Sequence, residues 1–407
     1  MIESLFSVLV KVDSHAMREM NRALVLEMIR RETTVSRSDL ARRSALTKPT
    51  VSSIVDVLIG EGLVCEVGFG SSHSRKGRRS RLLQLNDAAA AFLGVHFGVR
   101  HTSIAVADAR GQIRHTATVE SFRGRFEQAI LALPALVKSV FREARLSRSR
   151  LAAVGVAIPG LVDQTSGTCV LAPNLRWFDA PVKDELGRAL RAPSAVRNIT
   201  QAAAIAEGRL GAARGKRSFV WVYVGTGIGS AIVVDGRLVY GNSGYSGELG
   251  HCAVLDNGTQ CGCGGFGCLE TVASGAAIEA AARGSLARRT RSGRGGSNRD
   301  AQAIAIAARK GDREARRILG RAGEYLGIGI SYLLNLLNPE MVVLGGRVIQ
   351  AGECLLDPVR ESVAKHAMRS AGVPIVPSTV GDDVMLKGAV LLAMEGDRID
   401  GNPAIGQ

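Results

Sequence analysis

The sequence predicts an α/β protein in which an N-terminal winged helix-turn-helix domain is followed by two related α/β lobes. Two patterns support this fold class. Three short helices and a basic hairpin lie within residues 17–85, and a strand meander near residue 92 recurs near residue 219. Length is the third observation, because a chain of 407 residues exceeds what one hydrophobic core usually organises.

The first three predicted elements are helices. Helical spacing of apolar residues predicts a first helix that ends near Arg31. The second helix is expected to begin with Ser36 or Ser38 as its N-cap. The third is expected to begin at Thr47, because a capping hydroxyl there precedes Pro49 in the first turn, where proline is tolerated.

The third helix is predicted to carry DNA-binding side chains. Its inward stripe consists of Val51, Ile54, Val55 and Leu58. The outward face then holds small polar groups and a lysine, namely Lys48, Thr50, Ser52, Ser53 and Asp56. Such a face can approach a major groove closely and hydrogen-bond phosphates and base edges. An ordinary solvated helix has a similar face, so this pattern alone leaves both interpretations open.

A basic hairpin after Gly62 favours the DNA-binding interpretation. Two predicted strands flank a tip rich in glycine and serine, which carries Arg75, Lys76, Arg78 and Arg79. A hairpin in this position is the wing of a winged helix-turn-helix. Arg75, Arg78 and Arg79 are predicted to enter a minor groove or contact the DNA backbone.

From residue 92 onward, strands and helices are arranged in two similar blocks. Three strands are predicted within residues 92–120 and again within residues 219–241, which implies two α/β lobes with a cleft between them. Helices are expected at residues 126–145, 198–213, 273–283, 301–337 and 382–395. An Arg/Gly/Ser-rich stretch from residue 284 to 299 is predicted to be a mobile loop.

These patterns divide the chain into three predicted domains. The winged helix-turn-helix is expected to span residues 1–88, the first lobe residues 89–200 and the second lobe residues 201–381. The C-terminal helix, residues 382–396, is expected to complete the first lobe.

A cluster of metal-binding side chains lies in the second lobe. His251, Cys261, Cys263 and Cys268 occur within eighteen positions, and the intervening glycines allow sharp backbone turns. One imidazole and three thiolates form the tetrahedral donor set of a structural zinc ion. Disulfides are disfavoured, because Cys261 and Cys263 are too close for an easy bridge and nothing indicates an oxidising compartment.

Charge and targeting features narrow the functional class. The net charge of +15 and the pI near 10 indicate a polyanionic partner, although arginine-rich composition also arises from genomic bias. The opening MIESLFSVLVKV has Glu3 where a signal peptide has basic residues, and no apolar run is long enough to span a bilayer. A cytoplasmic protein with no membrane partner is expected.

Seven motifs together carry a resemblance to the ROK family (repressors, open reading frames and kinases). They are the helix-turn-helix segment SRSDLARRSALTKPTVSSIVDVLIGEGLV with GRR in the wing, AIPGLVD, APNLRW, GTGIGS, SGELGH, CGCGGFGCLE and VVLGGRV. They occur in the family's order across nearly the full chain. A single glycine motif would be weak evidence, whereas the set is specific.

The resemblance implies both a fold and a sugar pocket. It implies that the two lobes have the actin-like, ribonuclease H-like fold of sugar kinases. In ROK kinases an Asn-Asp pair, the Glu and His of the GExGH motif and the Glu after the last zinc cysteine bind sugar hydroxyls. The matching positions here are Asn198, Ile199, Glu248, His251 and Glu270. His251 is then expected to bind zinc through one ring nitrogen and to face a sugar hydroxyl with the other.

Two departures from the family pattern argue against catalysis. Phosphoryl transfer to a sugar needs a carboxylate that orients the hydroxyl and accepts its proton, and Ile199 stands at that position. The family's first phosphate motif begins with aspartate, where this chain has His96, and Arg100 replaces its threonine. No kinase activity is therefore expected. His96 lies on an apolar strand and is interpreted as a core histidine.

The expected function is a sugar-responsive transcriptional regulator, in which the kinase-like domain senses a sugar or sugar phosphate without phosphorylating it. A repressor that binds a double-stranded DNA operator as a homodimer or homotetramer is the favoured form. Asn198, Glu248, His251 and Glu270 are the predicted effector contacts. Arg197 replaces a glutamate of the family and is interpreted as a surface arginine or a partner for an acidic effector. A sugar kinase tethered to DNA and a regulator whose lobes only oligomerise are the alternatives.

Overall fold

A computed structural model describes residues 14–69, 80–289, 300–368 and 372–395. The chain forms two compact units. The first contains Met1–Ala91 together with the returning segments Ala107–Arg114 and Arg145–Leu151, and the second contains the rest. Within the described ranges, none of the helices combines the length and the apolar character that crossing a membrane requires.

The first unit is a three-helix domain with a small antiparallel sheet. Its elements are α1 (Ser14–Arg31), β1 (Val35–Ser36), α2 (Arg37–Ser44), α3 (Lys48–Gly60), β2 (Val64–Phe69) and β3 (Arg81–Leu85). The sheet order is β1-β3-β2. The core contains Val25, Ile29, Leu40, Val51, Val55, Leu58 and Leu83, all fully buried. The predicted three helices and hairpin strands are confirmed, and the tip with Arg75, Arg78 and Arg79 lies outside the described residues.

The remaining elements alternate strands and helices. The first set is β4 (Ala91–Phe97), β5 (His101–Asp108), β6 (Ile113–Glu120), α4 (Phe126–Glu143), β7 (Leu151–Ile158), β8 (Leu161–Val162), β9 (Cys169–Ala172), β10 (Trp177–Ala180), α5 (Val182–Leu190), β11 (Ser194–Asn198) and α6 (Ile199–Leu210). The second set is β12 (Phe219–Val224), β13 (Ile228–Val234), β14 (Arg237–Val239), α7 (Glu270–Ala273), α8 (Gly275–Arg289), α9 (Ala301–Arg309), α10 (Arg313–Leu337), β15 (Met341–Gly345), α11 (Glu353–His366), β16 (Ile375–Pro377) and α12 (Val384–Glu395).

Two five-stranded sheets share one topology, which confirms the duplication. Their strand orders are β6-β5-β4-β7-β11 and β14-β13-β12-β15-β16. In each sheet the three strands of the meander come first in the chain. Two later strands then join the sheet on the side of the first meander strand, β4 or β12. In the second sheet β12, β13 and β14 are antiparallel neighbours, and β15 and β16 join in parallel.

The C-terminal helix α12 packs closely against α6 and the first sheet. A methyl group on Gly388 would lie 1.9 Å from the carbonyl oxygen of Ala202, and one on Gly155 would lie 1.9 Å from that of Ala389. Glycine is required where backbones approach this closely. Val384, Met385 and Leu392 of α12 also share a core with Trp221 and Ala231 of the second sheet, so the assignment of α12 to the first lobe stays a prediction. The lobe boundaries at residues 89–200 and 201–381 stay predictions.

The structure corrects two details of the helical predictions. The expected mobile loop at residues 284–299 is wrong for residues 284–289, because α8 continues through Arg289 and residues 290–299 lie outside the described ranges. Leucine, alanine and arginine favour helix there despite the nearby glycines. The expected helix at residues 301–337 is two helices, because Gly311 adopts a φ of +98° that only glycine tolerates easily.

Burial lowers the pKa of His96 on β4 to about 4, which keeps the imidazole neutral at physiological pH. The side chain is half-buried on β4, so its interpretation as a core histidine is right only in part. In the unfolded chain the side chain binds a proton below about pH 6.5. Stability is therefore expected to fall as pH drops from 6.5 towards 4, by about 2 kcal/mol at pH 5.

Urea unfolding of the wild-type protein and of His96→Gln at pH 7.5 and 5 measures how much His96 contributes to the loss of stability at acid pH. The loss on acidification should be smaller in His96→Gln. Equal losses in the two proteins would contradict a neutral His96 in the folded protein.

Candidate sugar, zinc and DNA sites

The helix-turn-helix pair is set by local hydrogen bonds at the two helix starts. The Ser36 hydroxyl accepts from the Asp39 amide at 3.2 Å and caps α2. Thr47 Oγ1 accepts from the Thr50 amide at 3.3 Å and caps α3. Ala45, between the helices, has a φ of 58°, which makes the sharp turn. Both N-caps lie where the sequence predicts them.

The outward face of α3 is partly engaged by the domain itself. Lys48 and Ser53 are exposed, whereas Thr50 and Ser52 are half-buried. Asp56 forms an ion pair with Arg37 at 2.8 Å, and the same guanidinium donates to the Ser52 carbonyl at 3.3 Å. Arg37, which the sequence analysis did not single out, therefore orients the face that contains the predicted DNA contacts.

The predicted zinc ligands converge on one point. The ligand atoms of His251, Cys261, Cys263 and Cys268 all lie within 4.8 Å of one another. His251 Nδ1 is 3.6 Å from Cys261 Sγ, and Cys263 Sγ is 3.7 Å from Cys268 Sγ. A zinc tetrahedron with Zn–S bonds of about 2.3 Å has S–S edges of about 3.8 Å. The donor chemistry and the spacing therefore fit a tetrahedral zinc ion.

The backbone around the cluster explains its glycines. Gly264 and Gly267 have φ of +92° and +67°. A methyl group on Gly267 would lie 1.9 Å from the Leu255 carbonyl oxygen, so the loop closes only with glycine at that position. The Val254 amide donates to the Gly267 carbonyl at 2.8 Å and holds the two sides of the loop together.

His251 links the metal cluster to the predicted sugar contacts. Its Nδ1 faces the thiols, and its Nε2 lies 3.8 Å from Oε2 of Glu248. This division between the two ring nitrogens agrees with the expected dual role of the imidazole. Desolvation raises the pKa of Glu248, an effect that nearby His251 opposes and nearby Glu270 reinforces. The three side chains therefore share one partly buried polar site.

Glu270, at the first turn of α7, lies against the glycine motif of residues 225–229. Its Oε2 accepts from the Ile228 amide at 2.9 Å. A methyl group on Gly227 would lie 2.2 Å from that oxygen, so glycine makes room for the carboxylate. A methyl group on Gly229 of the same motif would lie 2.9 Å from Cγ2 of Thr200 at the start of α6, so Thr200 packs closely beside the motif. The motif therefore connects Glu270 with the predicted contacts at the end of β11.

Asn198 has a structural task in addition to its predicted sugar contact. Its Oδ1 caps α6 by accepting from the amide and the hydroxyl of Thr200, both at 2.7 Å. Its Nδ2 donates to the Gly160 carbonyl at 2.7 Å. A primary amide has two N–H donors, so one remains for a ligand.

Ile199 contributes packing where the kinase pattern has a carboxylate. Its side chain lies half-buried against apolar clusters that include Ala202, Ala203 and Ala389. An isoleucine cannot accept a proton from a sugar hydroxyl.

The prediction that Arg197 is a surface residue is wrong. Its side chain is 1 % exposed, it donates to the Val196 carbonyl at 2.9 Å, and its guanidinium lies 5.5 Å from the centre of the Tyr240 ring. An arginine is buried readily when an aromatic face and a carbonyl receive it.

The glycines of GTGIGS and VVLGGRV could cradle a phosphate or could only allow close backbone packing, and the sequence favours the second, structural interpretation. The phenol of Tyr223 would lie 2.3 Å from a methyl group on Gly225, and the indole of Trp221 would lie 2.4 Å from one on Gly345. These glycines therefore accommodate aromatic rings of β12, which supports their structural interpretation. The sequence signal was the aromatic pair immediately before the motif.

A separate groove of about 620 Å³ lies between α4, β10 and α5. It is lined by residues that include Phe126, Leu131, Phe178, Glu127 and Glu185. None of the four predicted sugar contacts lines it, so it is distinct from the site built around Glu248 and Glu270.

Comparison with known proteins identifies the family. The sequence model of the ROK family matches residues 92–395, about three quarters of the chain. The chain belongs to the ROK family. The similarity to transcriptional regulators covers more of the chain than the ROK model does. The chain is 30 % identical to the xylose repressor of Caldicellulosiruptor bescii over 356 residues, which cover 86 % of this chain and 89 % of the relative.

Among other ROK proteins, the regulators match nearly the whole chain, whereas a kinase matches only about three quarters of it. The transcriptional dual regulator NagC of Escherichia coli is 29 % identical over 386 residues, covering 92 % of this chain and 94 % of NagC. A crystallised ROK transcriptional regulator, a homologue of the E. coli MLC protein, superposes with a TM-score of 0.79 at 27 % identity and covers 95 % of this chain and 97 % of its own. A ROK glucokinase from Streptomyces griseus, solved with glucose and AMPPNP, has a TM-score of 0.66 at 28 % identity and covers 75 % of this chain and 100 % of its own.

Proposed function

We propose that this ROK protein is a sugar-responsive transcriptional repressor. Its kinase-like domain binds a sugar without phosphorylating it. One observation carries the proposal. A helix-turn-helix capped at Ser36 and Thr47 precedes a ROK domain in which Ile199 stands where the resemblance to ROK kinases implies the carboxylate needed for phosphoryl transfer. The relatives that span nearly the whole chain are named as regulators, which supports the same conclusion.

The proposed effector site comprises Asn198, Glu248, His251 and Glu270. Carboxylates suit a polyol, because each accepts several charge-assisted hydrogen bonds from hydroxyl groups. The xylose repressor and a relative from E. coli named N-acetylglucosamine repressor point to xylose and N-acetylglucosamine as the first sugars to examine. Sugar phosphates belong in the same panel.

The proposed metal is a structural zinc ion bound by His251, Cys261, Cys263 and Cys268. Zinc holds four such ligands in fixed directions and has no redox chemistry of its own. In this role it fixes the His251 ring so that Nε2 faces the sugar site.

The proposed DNA contacts are Lys48, Thr50, Ser52 and Ser53 on α3, with Arg75, Arg78 and Arg79 of the wing. Two copies of the domain in a homodimer or homotetramer would read a palindromic operator, because helix-turn-helix dimers place their recognition helices one helical turn apart. A footprint on the DNA upstream of the protein's own gene tests this proposal. Protection of two related half-sites is expected, and no protection anywhere in that DNA would contradict it.

The kinase alternative makes an opposite prediction. Wild-type protein supplied with ATP, Mg²⁺ and glucose, xylose or N-acetylglucosamine is expected to form no sugar phosphate, since loss of the general base alone costs about 10²- to 10⁴-fold. Ile199→Asp should not restore turnover, because Tyr223 still packs against Gly225 and Arg100 still replaces the threonine. Coupled detection of ADP checks both proteins, and sugar-dependent ADP release by the wild type would support the kinase.

A further inference from the structure

The tip of the β5–β6 hairpin belongs to the DNA-binding unit. Residues Ala107–Arg114 group with the N-terminal unit, although β5 and β6 continue from them into the first five-stranded sheet. Ala109 is 9 % exposed and is part of the core that contains Ile29 and Leu83. The amide of Ala109 also donates to the Asp87 carbonyl at 3.1 Å.

Arg110, at this tip, joins two elements of the DNA-binding unit. Its Nε donates to Oδ1 of Asp87, which follows β3 at the base of the wing, at 2.6 Å. Its Nη1 donates to the carbonyl of Glu32 at 3.1 Å and to that of Arg30 at 3.5 Å. The side chain is only 14 % exposed. A guanidinium is suited to this task, because its rigid fork can reach acceptors on two elements at once.

The hairpin turn that presents Arg110 is itself fixed. Asp108 is fully buried, and its Oδ1 accepts from the amides of Arg110 at 2.9 Å and Gln112 at 3.0 Å. Arg114 donates to the other oxygen of Asp108 at 2.5 Å and lies 3.5 Å from Asp87. The fork of Arg110 therefore starts from a rigid turn rather than from a flexible loop.

The two carbonyl acceptors of Arg110, those of Arg30 and Glu32, lie at the end of α1 and just beyond it. The last carbonyls of a helix have no partner within the helix, and a cation there also interacts favourably with the helix dipole. The same end of α1 is joined to α2, because Glu32 pairs with Arg43 at 2.8 Å. The end of α1 is therefore linked to α2 and, through the turn at Ala45, to α3.

We propose that the β5–β6 tip is a structural part of the DNA-binding domain. Arg110 is its positioning residue and holds the end of α1 against the base of the wing. Arg110 acts on DNA recognition through these elements and does not itself contact DNA. The use of this contact in DNA binding rests on the proposed function. The contact itself does not.

Hydrogen exchange of the full-length protein without DNA or sugar tests the contact. Arg110→Ala is expected to accelerate exchange at the end of α1 by about 10- to 100-fold, since hydrogen bonds to a charged group are lost. The strand Phe219–Val224 should exchange as in the wild type. Arg142→Ala is the matched control, because it removes an arginine that is 75 % exposed on α4. Unchanged exchange at the end of α1 in Arg110→Ala would overturn the proposal.

A second experiment tests whether the Arg110 contact contributes to DNA binding. It measures the affinity for the footprinted DNA duplex at several salt concentrations. Arg110→Ala should bind about tenfold more weakly with an unchanged salt slope, whereas loss of a phosphate contact lowers the slope by about one. Arg110→Lys should stay weaker than the wild type, because the lysine keeps the charge without the fork. A reduced slope, or full rescue by lysine, would overturn the positioning role. Failure of the wild type to bind any duplex would contradict the proposed function, and hydrogen exchange would still decide the contact.

Discussion

Replacement of Cys263 by serine is expected to release the metal and destabilise the segment from His251 to Cys268. Most residues from 251 to 268 are exposed or half-buried, and four potential metal ligands lie within 4.8 Å of one another there. Binding of zinc to such a set contributes folding free energy directly, so a loss of several kcal/mol is expected. His251 would no longer be held beside Glu248, and sugar binding should be lost with the metal.

Metal analysis and thermal unfolding of the purified proteins measure this effect. The wild type is expected to contain one zinc per chain, and Cys263→Ser close to none, with a clearly lower unfolding temperature. Cys252→Ser is the matched control, because Cys252 is an exposed thiol next to His251 but outside the ligand set. Wild-type metal content and stability in Cys263→Ser would contradict the zinc site.

Replacement of Glu270 by glutamine is expected to weaken sugar binding by about 10- to 100-fold while operator binding stays at the wild-type level. The amide oxygen of glutamine can still accept from the Ile228 amide, so the glycine motif should keep its conformation. The negative charge is lost, and hydrogen bonds to a charged group contribute about 1.5–3 kcal/mol each. The effect should therefore appear in sugar affinity and not in folding.

Calorimetric titration with the best-binding sugar of the panel, beside operator binding, separates these outcomes. Glu340→Gln is the matched control. Glu340 also accepts from backbone amides, those of Arg217 and Ser218 at 2.7 and 3.0 Å, but is not among the predicted sugar contacts. Equal sugar affinity in Glu270→Gln and Glu340→Gln would contradict a role of Glu270 in sugar binding.

Features determined by local sequence were predictable. The N-caps at Ser36 and Thr47 follow from hydroxyls placed before helical patterns, and the recurrent meander follows from alternation and glycine turns. The zinc cluster was predictable for the same reason, because its four ligands lie within one short segment whose glycines allow them to converge.

Features determined by distant contacts were not predictable. Arg197 is buried because Tyr240, more than forty positions away in the chain, provides an aromatic face for it. The ring beside Gly345 belongs to Trp221, more than one hundred positions earlier in the chain, and the Nδ2 group of Asn198 donates to the carbonyl of Gly160, nearly forty positions earlier. The membership of Ala109 and Arg110 in the DNA-binding unit requires the three-dimensional arrangement, since they lie about twenty residues beyond its last strand.

The proposed sensor requires the affinity for the operator to depend on sugar. The most direct measurement is a titration of the wild-type protein bound to its own upstream DNA with xylose, N-acetylglucosamine, glucose and their phosphates at constant salt. At least one sugar is expected to change the operator dissociation constant by about 5- to 150-fold, the usual range of coupling between two ligand sites. An operator affinity that stays constant with every sugar and sugar phosphate would contradict the sensor and leave the lobes as an oligomerisation scaffold.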